Sequence, residues 1–274
     1  MNTAANEEQK KEQVALDRSL ASIKRIVLVL SGKGGVGKST IAVNLATELA
    51  RVGKRVGILD IDFHGPSIPS MFGLDGTQIM FHDKVMQPVE FTINLHIMSI
   101  GFLLGNPGDA VIWRGPMKYG VIKQFISEVD WGELDYLVVD SPPGTGDEPL
   151  SIAQMTAEKA VAVVVTTPQR VSIEDVRKSV NFCRKLEVPV AGIIENMSGF
   201  ICPHCGESVN IFDSGGGESL AEEMAVPFLG RIPIDPGVVD ACDHGSPYVL
   251  ADKETETTKA FQLAFKPILA LDNV

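Results

Sequence analysis

Apolar residues along this chain fall in short blocks separated by longer amphipathic stretches. Residues 25–30 (RIVLVL) are apolar after the first position, the pattern of a strand buried on both faces. A Gly-rich turn follows, and then a helix over 38–52 that Gly53 closes as a C-cap. Residues 55–59 (RVGIL) predict a second strand, ending at Asp60. The stretch 63–93 is rich in Gly, Pro and Met and reads as irregular. Further strands are expected over 95–100, 135–139 (ending at Asp140), 160–166, 190–194 and 227–229. Helices are expected over 116–129, with Pro116 in its first turn, and over 172–186 and 217–225. A last helix over 254–270 should be interrupted or kinked near Pro267.

Strands alternating with helices predict an α/β fold: a single doubly wound, mostly parallel sheet with helices on both faces. No Gly-, Ser- or Pro-rich linker divides the chain, so residues 24–274 read as one domain. Residues 1–23 are charged and lack an apolar period, and read as a polar tail or a peripheral helix. Ligands in such folds bind beyond the carboxyl ends of the strands. The motifs below all fall there.

Charge narrows the partners. The chain has 274 residues, 24 of them Lys or Arg and 35 Asp or Glu, for a net charge of −11. An acidic chain neither attracts nucleic acid globally nor adheres electrostatically to anionic membranes, so no nucleic-acid and no membrane partner is expected. No run of about 18 apolar residues is present to span a bilayer. The polar start MNTAANEEQKKEQ has no apolar signal core, which reads as a cytoplasmic protein. The C-terminal segment carries Phe261, Phe265, Ile268 and Leu269 at helical spacing with only Lys259 and Lys266 as cations, which reads as core packing rather than a membrane anchor.

Gly32-x-x-x-x-Gly37-Lys38-Ser39 matches the P-loop pattern, between an expected buried strand and an expected helix. Glycines let backbone N–H groups converge on phosphate oxygens, and the helix N-terminus adds partial positive charge. The nucleotide-binding candidates are Gly32, Gly34, Gly35, Val36, Gly37, Lys38, Ser39 and Thr40. Lys38 should bridge the β- and γ-phosphates of ATP, and Ser39 should ligate Mg²⁺. Asp60 and Asp62 follow the second strand, where one carboxylate can hold a metal-bound water and the other can orient the attacking water. Asp140 ends another apolar strand, as a Walker B carboxylate does.

Cys202-Pro203-His204-Cys205-Gly206 is a CxxC knuckle whose two sulfurs can face one metal. Two thiolates leave a tetrahedral site half-ligated, and the chain has no second CxxC. A symmetric homodimer would supply four thiolates, enough for a [4Fe-4S] cluster or a zinc ion. A redox pair is the third reading. Cys183 and Cys242 are isolated and read as buried small apolar residues, and His204 as a turn residue.

Lys33, within Lys33-Gly-Gly-Val-Gly-Lys-Ser-Thr, gives the loop the deviant Walker A signature. It resembles the family that includes nitrogenase iron protein, MinD and ParA. That resemblance implies a homodimer in which Lys33 reaches the partner's nucleotide. It further implies Asp62 for the attacking water and Asp60 for the metal sphere. The loop 141–147 would then sense the γ-phosphate, and Asn196 and Pro233 would contact adenine.

The segments from Asp60, Asp140, Glu195 and Cys202, with Trp113-Arg-Gly-Pro-Met, together resemble the Mrp/ApbC/Nbp group of iron–sulfur carrier ATPases. That similarity implies a slow ATPase whose dimer bridges a labile [4Fe-4S] cluster. Cluster scaffold proteins and apo iron–sulfur proteins would be its partners. Residues 1–23 hold no cysteine, so an additional N-terminal cluster is not expected. Two alternatives stand beside this reading: a positioning ATPase of the MinD or ParA type, and a zinc-bridged dimeric scaffold.

Overall fold

In the computed structural model the first apolar run forms β1 (Ile23–Ser31), hydrogen-bonded in parallel to β7 (Leu134–Asp140) on one side and β8 (Ala160–Thr166) on the other. Both flanking strands are buried along their whole length, which is why these runs show no polar alternation. The structure describes residues 2–83, 85–103, 114–202, 205, 207–251 and 254–273.

Outward from β7 lie β2 (Val56–Asp60), β6 (Leu95–Ser99) and the antiparallel edge strand β5 (Val89–Thr92). Outward from β8 lie β9 (Val190–Glu195) and β12 (Phe228–Arg231), both parallel. The eight-stranded order is β12-β9-β8-β1-β7-β2-β6-β5. The carboxyl ends of β1, β2 and β7 are therefore neighbours, and they carry the P-loop, Asp60 and Asp140.

Among the described residues, several helices pack around this sheet. They include α2 (Lys38–Arg51), α4 (Gly115–Ser127), α6 (Arg170–Lys185), α7 (Gly216–Glu223) and α9 (Glu256–Leu269). Helix α2 buries eleven of its fourteen residues, as a P-loop helix lying against the central strands must. Phe261, Phe265 and Ile268 of α9 are buried in the main core, so its apolar stripe faces protein. Among the described residues no helix is long and apolar enough to cross a membrane.

The structure differs from the sequence reading in four places. Residues 63–93 are not irregular throughout. They hold the single turn α3 (Ile68–Met71), the hairpin of β3 (Met80–His82) and β4 (Val85–Gln87), and β5. Their strands are three or four residues long and largely exposed, so no apolar period marks them. Two helices were not expected: α5 (Asp147–Thr156), which begins with Asp-Glu-Pro, and α8 (Pro236–Asp243), capped by the Asp235 carboxylate. Helix α9 continues through Pro267, which lies two residues before its end on the exposed side, where the freed carbonyl can be hydrated. The N-terminal segment forms the helix α1 (Asn2–Ser22), which rests on α4 and buries Leu16.

Candidate functional site

The phosphate loop joins β1 to α2. Gly37 has φ +83°, a left-handed conformation that costs any L-residue strain. A Cβ there would also run into Nδ2 of Asn196. Gly32 is required for a different reason: its missing side chain lets the Asp175 backbone of α6 close against the loop. Helix α2 has no side-chain N-cap, so its first N–H groups are left for an external acceptor. A cavity of about 240 Å³ opens at this point, lined by Lys33, Gly34, Gly35, Gly37, Lys38, Ser39, Thr40, Asp62 and Pro143 among others. Val36 is buried beneath it.

Lys38 and Asp140 form an ion pair in which both side chains are buried. Ser39 Oγ donates to the other carboxylate oxygen, Oδ2, at 2.6 Å. This converges a cation, a hydroxyl and a carboxylate at one end of the cavity. Burial raises the Asp140 carboxyl, against the pull of Lys38 and the Ser39 hydrogen bond.

Asp60 pairs in register with Asp140 across β2 and β7. It is fully buried and accepts from Ser99 Oγ at 2.9 Å and from the Asp62 N–H at 3.0 Å. Burial first, and the Asp140 charge second, push its carboxyl up to about 8. Asp62 lines the cavity, and its Oδ1 accepts the N–H groups of His64 at 3.2 Å and Gly65 at 3.3 Å. The two aspartates thus occupy different environments, one sealed beside Asp140 and one open to the phosphate cavity. The loop after Asp140 is tied to the P-loop strand by the Gly144 N–H, which donates to Ser31 O at 2.8 Å.

Asn196 is buried, and its Nδ2 donates to Val36 O at 2.9 Å. The amide that the sequence suggested for adenine buttresses the phosphate loop. Pro233 lines a separate cavity of about 400 Å³ with residues 234–237 and 255–257. The backbones of the two segments run side by side, with Ser198 N–H donating to Ile232 O and Ile234 N–H to Gly199 O.

That same segment continues into β10 (Phe200–Ile201), which pairs with β11 (Ser208–Val209) as a small antiparallel hairpin. The CxxC pair therefore lies at a hairpin tip and not in an open loop. Cys202 N–H donates to Glu207 O at 2.9 Å, closing the turn, and Cys205 is exposed. Val209, at the end of β11, and Ile211 and Phe212 after it are exposed apolar residues. Pro203, His204, Gly206 and Trp113 lie outside the described residues. Burial drives the Cys183 thiol up to about 12 and raises that of Cys242, so neither offers a ready thiolate.

Sequence reasoning missed the structural roles of three groups beside the site. Ser99 is the buried partner of Asp60. Glu195 accepts Ser198 Oγ and Gly215 N–H, anchoring the end of β9 to the start of α7. Lys118 of α4 meets Glu148 and His64. None has a local signature, because each contact joins residues remote in sequence or depends on burial.

The ParA family model, described as NUBPL iron-transfer P-loop NTPase, matches residues 22–269. The chain is 53% identical over 232 residues to the cytosolic Fe-S cluster assembly factor CFD1 of Saccharomyces cerevisiae, covering 82% of this chain and 79% of that protein. It is 50% identical over 241 residues to the iron-sulfur cluster carrier protein of Methanocaldococcus jannaschii, covering 88% and 83%. Among solved structures, a nucleotide-binding protein from Archaeoglobus fulgidus in complex with ADP is similar with a TM-score of 0.77. It is 39% identical, and the match covers 90% of this chain and 95% of that one.

Proposed function

The chain belongs to the ParA family of NUBPL-type iron-transfer P-loop NTPases, and from that membership we propose a cytosolic, ATP-hydrolysing iron–sulfur cluster carrier. Two copies would hold a labile [4Fe-4S] cluster between Cys202 and Cys205 of each, receive it from scaffold proteins and deliver it to apo-proteins. The observation that carries this reading is the pairing, in one fold, of the Lys38–Ser39–Asp140 phosphate site with a hairpin tip that carries two cysteines, Cys202 half-buried and Cys205 exposed.

The nucleotide would bind as its Mg²⁺ complex. Ser39 Oγ and the Asp140 carboxylate form an oxygen donor set of the kind a hard cation takes, and these residues would hold it. When bound, the metal would supply charge neutralisation for the phosphates. Lys38 exchanges its Asp140 partner for phosphate oxygens, and the loop N–H groups and the α2 N-terminus bind the remainder. Asp62, open to the cavity, orients water for in-line attack. Lys33 of the partner subunit adds positive charge as the transition state forms. Asp60, buried and raised, keeps its loop in register through Ser99 and would support a bound Mg²⁺ only indirectly. Asn196 and Pro233 stand on adjoining segments where adenine would lie, with Asn196 acting through the loop it braces.

Anaerobic reconstitution followed by Mössbauer and UV–visible spectra tests the cargo. Four iron atoms per dimer, lost in Cys202→Ala plus Cys205→Ala, is the expected result. Zinc at half an atom per chain with no iron uptake would refute the cluster and favour a zinc-bridged scaffold.

A further inference from the structure

Lys118 makes contacts that the phosphate site does not need for binding. Its Nζ donates to Glu148 Oε1 at 2.6 Å, lies 3.0 Å from His64 Nε2, and stands 5.8 Å above the Phe63 ring. Only 12% of the Lys118 side chain and 8% of the Glu148 side chain are exposed. A pair so shielded gains little net stability over apolar packing, because two desolvation costs offset the attraction. What the arrangement does supply is position. Phe63 and His64 directly follow Asp62, and Glu148 follows the loop that starts at Asp140. The backbone N–H of His64 is itself a donor to Asp62 Oδ1. One ammonium group on α4 therefore joins the Asp62 loop to the start of α5, at His64, two residues after Asp62. Lys118 does not line the phosphate cavity, so it acts through these neighbours.

We propose that Lys118 is a positioning residue for nucleotide hydrolysis, clamping the Asp62 loop to the Glu148 end of α5 so that the Asp62 carboxylate is aimed at the attacking water. The proposal rests on the hydrolysis reading above. It separates Lys118 from Lys38: Lys38 holds the phosphates, whereas Lys118 orders the loop that places water.

The test measures steady-state ATP hydrolysis, affinity for a fluorescent ADP analogue and thermal midpoint for the wild type, Lys118→Met, Lys118→Arg, His64→Ala and Lys38→Ala. Misplacing a reacting group by a fraction of an ångström to one ångström costs about 10- to 100-fold in rate. Lys118→Met should lose kcat by at least ~10-fold and keep nucleotide affinity within about threefold, a change of under ~0.7 kcal/mol. Lys118→Arg, which can still donate to Glu148, should recover most of the rate, and His64→Ala should lose part of it. Turnover in Lys118→Met equal to wild type overturns the proposal. So does a parallel fall of kcat and affinity, or an Arg variant no better than Met. If Lys118→Met does not fold, Glu148→Gln carries the same expected split, and an unchanged kcat there overturns it too. A wild type with no Lys38-dependent turnover overturns the hydrolysis reading along with the clamp, whereas wild-type turnover matched by Lys118→Met overturns the clamp alone.

Discussion

Ser39 and Asp140 lie 101 positions apart and meet through a 2.6 Å hydrogen bond from Oγ to Oδ2. The strand order causes this contact. Placing β1 directly beside β7 brings the turn after one strand against the terminal carboxylate of the other. Lys38 completes the group from the same helix turn.

The two lysines of the loop should fail differently. Lys38→Ala removes the ammonium proposed to contact phosphate, and nucleotide affinity should fall about 100-fold, equivalent to ~2.8 kcal/mol. Lys33→Ala should keep affinity within a few-fold and slow hydrolysis by about 100-fold, the loss typical of removing one transition-state donor. Equilibrium binding beside turnover distinguishes them, and equal loss of binding in both would contradict a role for Lys33 across the dimer.

Asp60 makes stability depend on pH. Its carboxyl is raised in the fold to about 8 from an ordinary value of 3.8, so between those values the native state holds the proton more tightly than the unfolded chain. The contribution is fully present below about pH 4 and is lost as pH rises towards 8, with a limiting slope of ~1.4 kcal/mol per pH unit. Urea unfolding of nucleotide-free protein between pH 5 and 8 should show this fall, and Asp60→Asn should flatten it. Identical slopes in the two proteins would mean that Asp60 ionises normally.

Gly37→Ala tests the loop against Asn196. The left-handed φ alone costs about 1–3 kcal/mol, and the added methyl meets Asn196 Nδ2. Chemical denaturation should show the loss, and Asn196→Ala in the Gly37→Ala background should return part of it. Strict additivity of the two substitutions would show that the residues are not in contact.

The CxxC hairpin, proposed to hold metal, should be separable from the phosphate site. Cys202→Ala plus Cys205→Ala should abolish metal uptake and leave nucleotide affinity within about twofold, under ~0.5 kcal/mol, because the hairpin lies outside the main sheet. Loss of nucleotide binding in that variant, measured with the same fluorescent ADP analogue, would place the cysteines within the nucleotide site.

The strand–helix alternation, the phosphate loop, the strand-end carboxylates and the CxxC pair were all legible in the residue order alone. Each is a pattern within a few residues, set by backbone geometry or by burial on both faces of a strand. Residues 63–93 escaped because their strands are short and exposed, and so carry no apolar period. Packing, and not any local run, sets Asn196 against Val36, seals Asp60 beside Asp140 while Asp62 faces the cavity, and brings Lys118 between His64 and Glu148. Those relations depend on which strands are neighbours and how deep each carboxylate lies. Sheet order and burial are properties of the packed whole, and no local run of residues encodes them.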